Sequence, residues 1–371
     1  MTSFLPPDRL LLGPGPSNVS ERVLAAMARP TIGHLDPRFV GMMDEVKELL
    51  RFAFKTRNAL TVPISAPGSA GMEACFVNLI EAGDTVIVCQ NGVFGGRMRE
   101  NVVRLGATAI MVQDSFGTPV DVDKVEAALK ANPGAKALAF VHAETSTGVQ
   151  SDAQALCALA RAHGALSIVD AVTSLGGIRL EVDAWGADAI YSGSQKCLSA
   201  PPGLSPLSFG EHAISALKAR KSPVQSWFLD LSLVMAYWQG EGARAYHHTA
   251  PINMLYALHE ALLILQEEGL EAAWARHLRN HELLRDGLEV IGLQLLVEAS
   301  ARLPQLNAVV IPEGTDDLAV RRRLLDHYNI EIGAGLGPLA GKIWRIGLMG
   351  AGSNPDSVEE VLAALKEVLN R

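Results

Sequence analysis

Ala187-Asp188-Ala189-Ile190-Tyr191-Ser192-Gly193-Ser194-Gln195-Lys196 is an apolar run that turns polar and ends on an amine. Upstream, Ala165-Leu166-Ser167-Ile168-Val169 is a second apolar run, and it ends on Asp170. Short apolar runs closed by small and polar residues suit strands buried in a parallel sheet. In an open α/β sheet, ligands collect at the C-terminal ends of the strands. Two such strands would deliver a carboxylate and a lysine to one edge.

Working outward, residues 60–209 alternate β-rich runs with helical ones. Strands are expected at 85–89, 107–112, 137–142, 166–170, 189–192 and 205–209, and helices at 71–79, 95–105, 122–130 and 153–162. That alternation predicts an α/β fold with a mostly parallel sheet sandwiched by helices. A long helix is expected at 251–268, opened by Pro251 and closed by Gly269. The next, at 270–291, carries Leu278, Leu283, Leu284, Leu288 and Ile291 on one side. The remainder follows an α+β pattern, with strands at 308–311, 331–333 and 344–348 and helices at 318–327 and 357–369. We therefore expect a large domain over 1–268, N-terminal arm included, and a smaller C-terminal domain over 269–371.

Composition narrows the function classes. Hydrophobic residues make up 49 % of the 371, and charged residues only 19 %, so a large core is available and long disordered tails are not expected. The net charge of −8 gives no electrostatic reason to expect nucleic acid. No apolar run approaches the roughly 18 residues of a membrane span, and the N-terminus has no signal-peptide pattern. The four cysteines, Cys75, Cys89, Cys157 and Cys197, form no C-x-x-C pair and suit buried thiols in a cytoplasmic protein. His247-His248 and the scattered histidines match no zinc spacing. Neither Gly13-Pro14-Gly15-Pro16-Ser17 nor Gly333-Ala334-Gly335-Leu336-Gly337 is a dinucleotide fingerprint.

Four further stretches could carry chemistry. Ala66-Pro67-Gly68-Ser69-Ala70-Gly71 follows an apolar run and opens a helix. Its small residues would let backbone N–H groups meet a phosphate, with the helix dipole in support, although a tight turn alone explains the pattern equally. Phe94, in a glycine-flanked loop after the 85–89 strand, could stack on a flat cofactor or simply complete a satellite core. His142-Ala143-Glu144-Thr145-Ser146-Thr147-Gly148 could bring Thr145 to a ring hydroxyl, or use its hydroxyls as turn caps. Arg345, inside the apolar run 342–348, needs a partner. That partner is either a substrate carboxylate held bidentately or a structural Asp or Glu.

An Asp and a Lys at strand ends, with a phosphate-type turn earlier, match what pyridoxal 5′-phosphate requires. Asp170 would keep the pyridine nitrogen protonated, and Lys196 would form the Schiff base and then move the substrate Cα proton.

Assembled, the chain resembles the class V aminotransferases of pyridoxal-phosphate fold type I over nearly its whole length. The nearest branch is that of the alanine–glyoxylate and serine–pyruvate aminotransferases. The likeness rests on Leu11-Leu12-Gly13-Pro14-Gly15-Pro16-Ser17, on Tyr191 to Lys196 followed by Ala200-Pro201-Pro202-Gly203, on Tyr246-His247-His248-Thr249, and on Lys342 to Leu348. It implies Lys196 as the catalytic Schiff-base lysine and Asp170 as the ring-nitrogen partner. Val172 and Phe94 would cover the two ring faces. Gly68, Ser69, Ala70 and Gln195 would bind phosphate, with Thr145 near the ring oxygen. Arg345 and Gly15 would meet the substrate. Tyr246 and Thr249 would reach the neighbouring subunit's phosphate, so the resemblance implies a homodimer with shared sites. Phe94 departs from the tryptophan usual at that position, and Pro67-Gly68-Ser69-Ala70 departs from the usual phosphate turn.

The expected activity is amino-group transfer from L-alanine or L-serine to a 2-oxo acid such as glyoxylate or pyruvate, by a ping-pong route through pyridoxamine phosphate. Ureidoglycine–glyoxylate, aminoethylphosphonate and pyridoxamine–pyruvate transfer are the alternatives within the family. A cysteine desulfurase is disfavoured, because Gln195 stands where that branch carries His and no cysteine lies beyond Cys197. A non-catalytic partner and a nicotinamide oxidoreductase are the readings from other classes.

Overall fold

The computed structural model describes residues 1–239 and 244–370. In chain order, β1 is Leu10–Leu12, β2 Leu60–Ile64, β3 Thr85–Gln90, β4 Thr108–Gln113, β5 Ala137–Val141, β6 Ala143–Glu144 and β7 Val149–Gln150. β8 is Leu166–Asp170, β9 Ala189–Tyr191, β10 Ser205–Phe209, β11 Leu306–Val310, β12 Ile330–Ala334 and β13 Ile343–Gly347. The expected strands and helices of the region 85–209 are all present, shifted by a residue or two at their ends.

Seven strands form one sheet in the order β2-β10-β9-β8-β5-β3-β4. β3, β4, β5, β8 and β9 pair in parallel, while β10 runs antiparallel to both β9 and β2. β2 therefore points the same way as the parallel set. The interior strand β5 and the edge strand β2 are buried at every position, as expected where both faces are covered. Because the strands agree in direction, the segments that leave β2, β3, β5, β8 and β9 start at one edge of the sheet.

A second sheet has the order β1-β12-β13-β11. β1 pairs in parallel with β12, so the first strand of the chain joins the sheet built from its last third. The apolar residues divide in the same way. One cluster runs from Phe39 to Ala273, and a second joins Leu12 to residues between Leu284 and Val368. The helix Leu270–Val290 spans both, with Leu270 and Ala273 in the first and Leu284 and Leu288 in the second.

Two expectations need correction, and one helix lay outside them. Leu278 and Leu283 do not share the buried face of that helix and are 47 % and 50 % exposed. The buried stripe instead includes His277, Asn280 and His281, whose polar atoms are paired: Asn280 donates to Ser353 O, and His281 Nδ1 meets Asn307 Oδ1 at 2.6 Å. Phe94 is not in a loop; it is the second residue of the helix Val93–Arg104. The helix Pro37–Phe54 was not anticipated, although Asp36 caps it, Pro37 opens it and Lys55 closes it at φ 49°.

Candidate active site

A cavity of about 170 Å³ lies at the C-terminal edge of the large sheet. Its lining includes Gly68, Ser69, Phe94, Thr145, Asp170, Val172, Gln195 and Lys196. They arrive at the end of β8 and on the segments that follow β2, β3, β6, β8 and β9. The sheet thus brings eight of the expected site residues together from five stretches of sequence.

Asp170 ends β8 and is buried. Its Oδ1 accepts from Val172 N–H at 2.9 Å, and its Oδ2 accepts from the Tyr191 hydroxyl at 2.8 Å. Burial pushes its pKa up to about 6, against the pull of these donors and of Lys196 and Arg97. Tyr191, also a lining residue, was not anticipated as a partner. Its position pairs directly with Asp170 across β8 and β9, so the two side chains stand side by side.

Lys196 is half-buried, and its Nζ donates to Pro14 O. Burial lowers its pKa to about 8, with neighbouring Arg345 adding to the effect. Its backbone is held from the N-terminal arm: Ser17 N–H donates to Gln195 O at 3.0 Å, and the Ser17 hydroxyl donates to Lys196 O at 2.7 Å. Gly15 lies against the same side chain. A Cβ built there would sit 2.5 Å from Lys196 Nζ, on a backbone at φ +97°. Gly15 does not line the cavity, but it borders the amine that does.

The helix Gly68–Leu79 also opens onto this cavity. Its N-cap is Pro67, which supplies no side-chain hydrogen bond. The first-turn N–H groups of a helix have no intrahelical partner, so an anion at Gly68 and Ser69 would find donors. Ala70 does not line the cavity, and its N–H already donates to Pro67 O at 2.7 Å. Gly68 is close to Val172: an added Cβ would meet Val172 Cγ2 at 3.2 Å. Gln195 Oε1 is buried without a hydrogen-bond partner among the described residues.

Arg345 is buried in β13 of the smaller sheet. Its Nε donates to Ala334 O at 2.7 Å, and its Nη1 donates to Thr145 O at 3.2 Å. Among the described residues no carboxylate lies in ion-pair range of it. Burial lowers its pKa to about 10, and the nearby Glu144 opposes that shift. Arg345 does not itself line the cavity but is bonded to Thr145, which does.

Tyr246 and Thr249 lie elsewhere. Their hydroxyls approach each other at 3.4 Å, and Tyr246 is 63 % exposed. Neither belongs to the cavity of its own chain. No group of three or more His, Cys, Asp or Glu side chains suited to a metal occurs among the described residues, and none of their helices is long and apolar enough to cross a membrane.

Comparison with known proteins agrees with this geometry. The Aminotransferase class-V family model matches residues 11–342. The chain is 40 % identical over 365 residues to the alanine–glyoxylate aminotransferase of Oryctolagus cuniculus, covering 98 % of this chain and 93 % of that one. It is 39 % identical over 384 residues to the (S)-ureidoglycine–glyoxylate transaminase of Bacillus subtilis, covering 98 % and 91 %. The solved structure of an alanine–glyoxylate aminotransferase from Nostoc sp. superposes with a TM-score of 0.97 at 47 % identity, covering 100 % of this chain and 97 % of that one. With this fold, this edge of the sheet and these relatives over nearly its full length, the chain belongs to the class V aminotransferase family.

Proposed function

We propose that this aminotransferase uses pyridoxal 5′-phosphate to move an amino group from a small amino acid, L-alanine or L-serine, to a 2-oxo acid such as glyoxylate or pyruvate. The observation that carries the reading is one cavity holding a lysine amine of lowered pKa, a buried carboxylate and an uncapped helix start. The residues fit the cofactor. The free N–H groups at Gly68 and Ser69 suit its phosphate, and Gln195 would serve it through its amide NH2 rather than through the unpaired Oε1. Asp170 suits its ring nitrogen, and Val172 and Phe94 suit its two faces.

When bound, the cofactor supplies an aldehyde carbon for amine exchange and a ring that withdraws electrons from the substrate Cα. The protein does the rest. Lys196 Nζ, with its pKa near 8, reaches the neutral form it needs for attack close to physiological pH. Its free amine would be the base that takes the substrate Cα proton and later returns one. Asp170, held by Val172 N–H and the Tyr191 hydroxyl, presents a negative charge where the ring nitrogen's proton would stand. Arg345, free of any carboxylate, is available to a substrate carboxylate and fixes its orientation. Gly15 leaves Lys196 room to move.

Tyr246 and Thr249 support a homodimer with shared sites. They are on the surface, and Tyr246 shares its region with the exposed Trp227, which stacks on His247 at 4.6 Å. A second copy would cover this aromatic surface. The four buried, unpaired cysteines support a cytoplasmic location.

Alanine as donor and glyoxylate as acceptor are supported by the Oryctolagus and Nostoc relatives, and ureidoglycine as donor by the Bacillus relative. The visible spectrum of the loaded protein separates the readings. Bleaching of the yellow band by L-alanine or L-serine alone, without any oxo acid, supports the proposal. Bleaching by ureidoglycine but by neither of those two overturns the donor assignment.

A further inference from the structure

Glu144 belongs to no expected role, yet it is fully buried beside the cavity. It lies on β6, whose hairpin with β7 carries Thr145 at its tip. Its Oε1 accepts from Ser146 N–H at 3.0 Å and from the Ser146 hydroxyl at 2.6 Å. Its Oε2 accepts from Phe94 N–H at 3.3 Å. The Ser146 hydroxyl in turn accepts from Val93 N–H at 2.9 Å. The helix Val93–Arg104 has Gly92 as N-cap, and glycine offers no side chain for capping. Glu144 and Ser146 therefore supply, from the β6–β7 hairpin, the cap that the helix lacks.

Space confirms the fit. A Cβ on Gly92 would lie 2.2 Å from Glu144 Cδ, so the carboxylate occupies the place a side chain would take. The hairpin also reaches the other side of the site, since Thr145 O accepts from Arg345 Nη1. One hairpin thus holds the first turn that carries Phe94 and also meets the guanidinium.

We propose that Glu144 is a positioning residue: with Ser146 it caps the helix Val93–Arg104, fixes Phe94 at the cavity, and couples that ring to Arg345 through the same hairpin. The effect on cofactor rests on the pyridoxal-phosphate reading, whereas the cap itself does not.

The test uses Glu144→Gln and Ser146→Ala in the full-length protein. Glutamine keeps the shape but has one oxygen for two sites, so an N–H of Ser146 or Phe94 loses its acceptor. Amide hydrogen exchange is read first, without cofactor. The Phe94 and Val93 N–H groups are expected to exchange about tenfold faster in the variants, as loss of a hydrogen bond to a charged group implies. The dissociation constant for pyridoxal phosphate is read second. It is expected to rise about tenfold in Glu144→Gln and less in Ser146→Ala. The KM for a 2-oxo acid should rise in Glu144→Gln beyond any change in kcat. Wild-type exchange at Val93 and Phe94 in folded Ser146→Ala overturns the cap, and this arm decides if Glu144→Gln does not fold. Faster exchange with an unchanged cofactor dissociation constant overturns the positioning role. A wild-type protein that takes up no pyridoxal phosphate overturns the functional reading and the positioning role together, and leaves the cap established by exchange alone.

Discussion

At the Asp170 end of the cavity both carboxylate oxygens have donors, whereas at the Gly68 end the donors have no acceptor. Val172 N–H and the Tyr191 hydroxyl complete Asp170. The helix Gly68–Leu79 starts on Pro67, which offers no side-chain acceptor to its first-turn N–H groups. One end is therefore a fixed negative charge in a nearly dry setting, and the other is a set of unfilled hydrogen bonds. A ligand with a protonatable nitrogen at one side and an anion at the other satisfies both. Unpaired buried polar groups cost roughly 1–3 kcal/mol each, so the unfinished end is the one that gains most from a ligand.

The contrast can be broken in graded steps. Lys196→Ala removes the amine that lines the same cavity. It is expected to lower kcat by at least roughly 10³-fold, within the range general acid–base catalysis carries, while both ends still bind cofactor. Steady-state rates and retained absorbance check this. Arg345→Gln should raise KM for the 2-oxo acid by roughly tenfold to a hundredfold, the worth of a charged hydrogen bond, with little change in cofactor affinity. Gly15→Ala places a methyl group where Lys196 Nζ now lies and forces alanine to φ +97°. We expect a loss of about 1–3 kcal/mol of stability, read by denaturation, together with slower capture of cofactor. Tyr191→Phe makes the smallest change. It takes one donor from Asp170, whose pKa should move further above about 6. A kcat loss of about fivefold is expected, from a hydrogen bond worth ~1 kcal/mol, and its low-pH limb should shift upward because the carboxylate then protonates earlier.

The two ends were also unequally legible in the sequence. Asp170 and Lys196 stand at the ends of apolar runs, and period and position suffice to find them. Tyr191 was within the quoted stretch, but its role depends on the register of β9 against β8, which aligns it with Asp170. Counting back from the two run ends could have suggested that pairing. The Gly15 contact with Lys196 and the Arg345 contact with Thr145 join residues far apart in the chain, through a second sheet that takes in β1. No local pattern encodes them. The start of the helix Val93–Arg104 was misplaced for a related reason. Its cap comes from Glu144 and Ser146 of the β6–β7 hairpin, so the usual cap residue is absent from the neighbouring sequence. In the helix Leu270–Val290, leucine was only a partial guide to the buried face: Leu284 and Leu288 are buried, but Leu278 and Leu283 are not, and His277, Asn280 and His281 find partners inside.

The most direct test of the account is to load the wild-type protein with pyridoxal phosphate, reduce it with borohydride and map the modified peptide by mass spectrometry. The account predicts one modified lysine, Lys196. Modification at another lysine, or none after loading, would contradict it.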